Sequence, residues 1–191
     1  MSVQTRGRLL EAAKKIFSEK GYYNAQISHI IDEAGVARGT FYLYFKSKED
    51  IFRELLKEVV RELKERIKVI DLSGDPVQQV KENIERVIEL ALEERELARI
   101  VLQRNCDPEL FSITDSFFEE VVQLIKGSLD KGIALGLISP CNTEVVARGI
   151  MGALKEIIVG LLDKEDVDPS RVAEEVLEFG IKGVWSDKRG R

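Results

Sequence analysis

The stretch ISHIIDEAGVARGTFYLYF, residues 27–45, decides how the chain is read. Ile27, Ile30, Ile31 and Ala34 recur at i, i+3, i+4 and i+7, which predicts a two-turn helix over 27–34 with one apolar face. Gly35 ends it. A second short helix is expected over about 37–43, with Phe41 and Phe45 filling its inner side. Ala34 and Gly35 are small enough for the two helices to pack closely, so the segment reads as a helix-turn-helix. In that geometry the first residues of the second helix face the major groove of duplex DNA. Arg38 has the planar fork that fits a guanine edge, Gly39 lets the backbone come close to a base, and Thr40 offers a hydroxyl and a methyl. Tyr42, Tyr44, Lys46 and Lys48 carry hydroxyls and charges suited to phosphate oxygens. Gln26 and Ser28, at the start of the first helix, complete the expected DNA-contact set.

Upstream, Leu9, Ala13, Ile16 and Phe17 repeat at helical spacing and Gly21 provides a stop, so residues 5–20 read as a helix. Downstream, Ser47 looks like an N-cap with Glu49 and Asp50 in an acidic first turn, opening a long helix to about Ile70. Its start at Lys48 adds backbone amides for a phosphate. Asp75-Pro76 and Asp168-Pro169 place a capping carboxylate before proline at the first helical position. They open helices over roughly 76–93 and 170–186. Further helices are expected over about 97–103, from the Phe117 region to the Gly136 turn, and over 143–162, with an irregular stretch at 105–111. The whole is therefore all-α, about nine helices: a three-helix head over residues 1–48 and a helical body over 49–191. Val172, Val176 and Phe179 cover more than one neighbouring helix would hide. Gly149, Gly152 and Gly160 permit close backbone approach. The helices at 143–162 and 170–186 are thus expected to form a four-helix bundle with a second copy of the chain; a purely internal core is the competing reading.

Composition narrows the function classes. In 191 residues, 44% are hydrophobic and 33% charged, enough apolar material for a core and too much for a disordered chain. No run of eighteen apolar residues suggests a membrane span, and the N-terminus lacks a signal-peptide pattern, so a soluble cytoplasmic protein is expected. Residues 1–68 hold 14 Lys/Arg against 10 Asp/Glu and the remainder 15 against 24, net +4 and −9. The basic end is the candidate anion-binding end. A single histidine, His29, and two cysteines without metal spacing, Cys106 and Cys141, give no metal site and no cofactor site; the thiols read as buried or idle. GxSxG, GxGxxG, P-loop and HExxH motifs are all absent, which argues against an enzyme.

The run GYYNAQISHIIDEAGVARGTFYLYFKSKEDIF, residues 21–52, resembles the N-terminal signature of the tetracycline-repressor (TetR) family. Its Gly-Val turn and its Tyr-x-x-Phe-x-x-Lys spacing carry the likeness, which extends over about residues 9–56. Gln26 stands where Thr or Ser is usual, and Ala37 where Ser is common. The resemblance implies an all-α homodimer that reads palindromic double-stranded operator DNA. It also implies a body with a cavity for a small hydrophobic ligand, whose entry shifts the helix from Ile51 to Ile70 and lowers operator affinity. LARIVLQRNCDPELF at 97–111 and KGIALGLI at 131–138 are similar to family members that regulate fatty-acid degradation by sensing acyl-CoA. On that likeness the ligand pocket is expected among Leu102, Cys106, Phe111, Phe117, Phe118 and Val121. The alternative is a constitutive or protein-partner-controlled DNA-binding protein without a small-molecule effector.

Overall fold

A computed structural model describes residues 3–102 and 108–182 of the chain. Among the described residues there are nine α-helices and no strand: α1 (Val3–Asn24), α2 (Ile27–Ala34), α3 (Arg38–Tyr44), α4 (Lys48–Arg66), α5 (Pro76–Glu93), α6 (Arg95–Leu102), α7 (Pro108–Ala134), α8 (Thr143–Leu161) and α9 (Pro169–Lys182).

The first three helices close around aromatic rings. Phe17, Phe41, Phe45 and Phe52 are fully buried, and the Phe17 ring meets Phe52 edge-on with centroids 5.3 Å apart. Burial of each such side chain is worth about 1.5–3 kcal/mol, the main force holding so short a unit together. Gly21 interrupts α1 at φ 70, ψ 165, a conformation open to glycine. Gly35 ends α2 in the left-handed region at φ 61, ψ 43. Arg8 reaches over it to donate to the Ala34 carbonyl, and a Cβ at position 35 would lie 3.3 Å from that guanidinium.

The buried cluster of this head does not stop at α4. Leu97 and Val101 of α6 and Leu110 and Ile113 of α7 belong to the same cluster as Leu9, Phe17, Ile51 and Leu55. Lys14 of α1 pairs with Glu94, just before α6. Beyond it, Ile88, Leu161 and Ala173 join α5, α8 and α9, while Leu102, Ile158 and Leu162 join α6 to α8. Arg95 donates to the Leu162 carbonyl and, at 2.8 Å, to that of Lys164, capping the C-terminal end of α8.

Three expectations need correction. The long helix ends at Arg66 rather than Ile70, because Asn83 of α5 takes hold of the Lys68 peptide at both ends. The Lys68 amide donates to Asn83 Oδ1 at 2.9 Å, and Asn83 Nδ2 donates to the Lys68 carbonyl at 2.8 Å. One turn earlier on α5, Gln79 repeats the grip on Asp71, accepting from its amide at 2.9 Å and donating to its carbonyl at 3.3 Å. Those backbone groups are then unavailable to a helical ladder. Arg66 itself is pinned at 2.6 Å to both Glu62 and Glu93. Second, residues 108–111 are helical, with Pro108 at the first position of α7. Third, of the two readings of the thiols, buried or idle, burial does not hold for Cys141, which is free and exposed before α8. Cys106 and positions 183–186 of the last expected helix lie outside the described residues.

Candidate nucleic-acid interface

α3 owes its orientation to Phe41, which is fully buried and carries Phe45 beside it at 5.9 Å between ring centroids. Gly39 and Leu43 lie on the opposite side, and Leu43 is 66% exposed. Arg38 is exposed, its guanidinium 6.0 Å from the ring centroid of Tyr42, which is itself exposed. Thr40 is half-buried, its amide donating to the Ala37 carbonyl at 2.8 Å. Tyr42 is the outward tyrosine of the pair; Tyr44 packs half-buried against the core cluster.

The cations of the head divide into two groups. Arg6 pairs with Glu54, Lys14 with Glu94 and Lys15 with Glu33, while Arg8 is spent on the Ala34 carbonyl. Lys48 Nζ donates to the carbonyls of Tyr22 and Ala25 at 2.9 and 3.2 Å and sits 4.4 Å from the Tyr22 ring centroid. Among the described residues of the head, Lys20, Arg38 and Lys46 have no ion-pair partner; all three are exposed, Lys20 on α1 and Arg38 and Lys46 together on the α3 side. A pair of exposed cations left without carboxylates is what a polyanion can use.

The start of α4 is built as a cap. Ser47 Oγ accepts from the Asp50 amide at 3.2 Å, and the Asp50 carboxylate accepts from the Lys46 amide at 2.8 Å. Tyr22 donates to Glu49 at 3.2 Å. Partial burial pushes the Glu49 carboxyl up, but hydrogen bonds from the backbone, Ser47 and Tyr22, with the charge of Lys48, hold it below its ordinary value. At the start of α2, the Gln26 amide donates to His29 Nδ1 at 3.3 Å, and Ser28 Oγ donates to Gln26 Oε1 at 3.4 Å. Gln26 and Ser28 are exposed and adjacent. The role of His29 in fixing Gln26 was missed from sequence, although Gln26-x-x-His29 has the spacing of a capping box.

The residues expected to line a pocket are only partly gathered. Leu102 is buried with Ile158 and Leu162, and Phe118 packs on that cluster under the Lys155 ammonium, 4.6 Å from its ring centroid. Phe117 lies edge-on to Phe118, centroids 5.4 Å apart, and Val121 is half-buried. Phe111 is 58% exposed. A separate cleft of about 290 Å³ lies between the extended segment at 67–70 and Gln123, Leu124, Gly127, Ser128 and Lys131 of α7. It exists because α4 stops early. No group of His, Cys, Asp and Glu suited to a metal ion occurs among the described residues, and no described helix is long and apolar enough to cross a membrane.

Comparison with known proteins bears directly on this head. Residues 9–55 match the family model for bacterial regulatory proteins of the tetR family. Over 188 residues, covering 95% of this chain and 93% of the relative, the sequence is 31% identical to the uncharacterized HTH-type transcriptional regulator YdgC of Bacillus subtilis. The chain belongs to the TetR family of bacterial transcriptional regulators. The regulator is also 29% identical over 183 residues to the fatty acid metabolism regulator protein of B. subtilis, covering 93% of this chain and 94% of that one. Its fold superimposes on the crystal structure of FadR from B. subtilis in complex with stearoyl-CoA with a TM-score of 0.77 at 26% identity, covering 94% of this chain and 99% of that one. The all-α architecture and the helix-turn-helix expected from sequence agree with these matches. So does the expectation of a non-enzymatic protein, since the family and these relatives are transcriptional regulators.

Proposed function

We propose that this regulator is a repressor that binds a palindromic operator as a homodimer and is released by a small hydrophobic effector, of the long-chain acyl-CoA class. The observation that carries the DNA half is the division of cations: Arg6, Arg8, Lys14, Lys15 and Lys48 of the head are committed internally, Lys20 stands unpaired on α1, and at α3 and just beyond it Arg38 and Lys46 face outward without ion-pair partners among the described residues. In this reading Arg38, Gly39 and Thr40 meet base edges, with Arg38 selecting guanine. Gln26, Ser28, Tyr42, Tyr44 and Lys46 hold phosphates. Position 48 contributes through the backbone amides of the α4 start, its ammonium being engaged by two carbonyls. Residues 1–48 are the DNA-reading unit, 49–191 the body, and the cytoplasm the place of action.

Dimerisation is assigned to α8 and α9, whose outer faces expose Val145, Ile150 and Phe179. Gly149, Gly152 and Gly160 have open space where a Cβ would stand, which a partner helix can approach. The acyl-CoA assignment is supported by the likeness to the FadR bound to stearoyl-CoA. An acyl chain would enter by parting α6, α7 and α8 around Leu102, Phe117, Phe118 and Val121. Because Leu97, Val101, Leu110 and Ile113 share one buried cluster with α1 and α4, a displacement there reaches the head.

The test has two stages. Selection from a randomised duplex library identifies the operator, and fluorescence anisotropy then follows its release by stearoyl-CoA. Enrichment of a palindrome with release at micromolar stearoyl-CoA is expected, together with loss of the guanine preference at one position per half-site in Arg38→Ala. Failure to enrich any sequence refutes the repressor reading; enrichment without release refutes the effector class alone.

A further inference from the structure

Leu43 is the sole aliphatic side chain of α3, and it is 66% exposed while Phe41, two residues earlier, is fully buried. With about 100° per residue, Gly39 and Leu43 fall within about 40° of one another and both point roughly opposite Phe41. The outermost line of the helix is therefore a leucine beside a residue with no side chain, where an added Cβ would meet nothing within 4 Å. Arg38 and Tyr42 stand along one flank, their guanidinium and ring 6.0 Å apart. This is an apolar knob at the centre of a polar, cationic face.

The edges of base pairs in the major groove present donors and acceptors everywhere except at one apolar group, the 5-methyl of thymine. We propose that Leu43 is a specificity-determining residue that reads thymine through this methyl, with Gly39 leaving the room for the base to come up to the helix. The inference rests on the operator-binding reading above and names a contact of that same site. Leu43 follows Arg38 by five residues, about 7.5 Å along a helix axis, or roughly two base steps of 3.4 Å. The thymine accordingly lies about two base pairs from the guanine selected by Arg38.

The experiment uses the full chain and the operator obtained by selection from a randomised duplex library. Each thymine is replaced singly by deoxyuracil, which removes only the methyl, and affinity is measured by anisotropy. At one position per half-site the wild-type protein is expected to bind about fourfold more weakly, the equivalent of about 0.8 kcal/mol for one carbon removed from water. Leu43→Ala binds the thymine duplex more weakly and no longer distinguishes thymine from uracil there, while its guanine preference persists. Leu43→Met, which restores an apolar side chain, recovers the discrimination. Uracil sensitivity that survives in Leu43→Ala, or an operator in which no thymine methyl matters to the wild type, overturns the proposal. A selection that enriches nothing removes the operator reading itself and this contact with it.

Discussion

Replacing Gly39 by alanine should move stability and function in opposite directions. The residue occupies the second position of α3, its φ is not among the positive ones, and a built Cβ meets nothing within 4 Å. The isolated fold has no need of glycine there. Alanine should stabilise the chain by about 0.5–1 kcal/mol through the smaller backbone entropy lost on folding. For a chain of this size that is a rise in Tm of about 1–4 °C, readable by circular dichroism. If the bare backbone at Gly39 is where a base approaches the helix, the added methyl overpacks that contact at about 1–3 kcal/mol. Operator affinity should then fall about 5- to 150-fold in an anisotropy titration. Partial unfolding cannot imitate this result, because the variant that binds less is the one that melts later. Unchanged affinity in a Gly39→Ala protein with a raised Tm would refute the close approach at this position.

Lys48→Ala removes the ammonium from the Tyr22 and Ala25 carbonyls and should cost about 1–3 kcal/mol of stability. Its operator affinity should keep the wild-type salt slope, whereas Lys46→Ala should reduce that slope by about one; a shallower slope for Lys48→Ala would show its ammonium on a phosphate. Asn83→Ala frees the Lys68 peptide, so hydrogen exchange at the Lys68 amide should accelerate at least tenfold, as expected when about 1.4 kcal/mol of local protection is lost. Unaltered exchange would mean that something else fixes this strap. Glu49 has a depressed carboxyl, so its contribution is present above the ordinary value of 4.5 and disappears as pH falls through its lower folded value. The stability gap between wild type and Glu49→Gln should therefore be constant from pH 7 to 5 and close in more acid solution, as followed by urea denaturation; a gap that widens on acidification would reverse the assigned sign.

The head was legible because its signals are short-range. Ile27, Ile30, Ile31 and Ala34 share a helical face whatever surrounds them, and Gly35 occupies the left-handed cap that such a turn demands. Asp75 and Asp168 cap their helices as the Asp-Pro pairs imply, accepting from the Val77 amide at 2.9 Å and the Ser170 amide at 3.0 Å. The same pair recurs at 107–108, and reading it the same way would have started α7 at Pro108. What escaped was decided at a distance. The end of α4 depends on Asn83 and Gln79, eight or more positions away in sequence, and helical periodicity continues smoothly through Ile67 and Ile70. Among the expected contacts, the internal use of Lys48 was equally hidden, since nothing in FKSKED says which lysine will find carbonyls across the turn. Phe111 illustrates the limit for the body: an aromatic residue near an apolar run reads as interior, yet it stands 58% exposed at the start of α7.

The buried cluster that runs from Leu9 and Phe17 through Ile51 to Leu97, Val101, Leu110 and Ile113 has a bearing on how such chains can be recombined. A hybrid made by joining residues 1–48 to a relative's body would divide that cluster and set α1 against a foreign α6, with Lys14 deprived of Glu94. Head and upper body pack as one object. The outward face of α3 is under no such restraint, since Arg38, Gly39, Tyr42 and Leu43 are exposed and none belongs to the cluster. On the operator reading proposed above, exchanging the exposed base-facing residues Arg38, Gly39 and Leu43, rather than whole heads, is the route by which this regulator could be retargeted without disturbing what lies beneath.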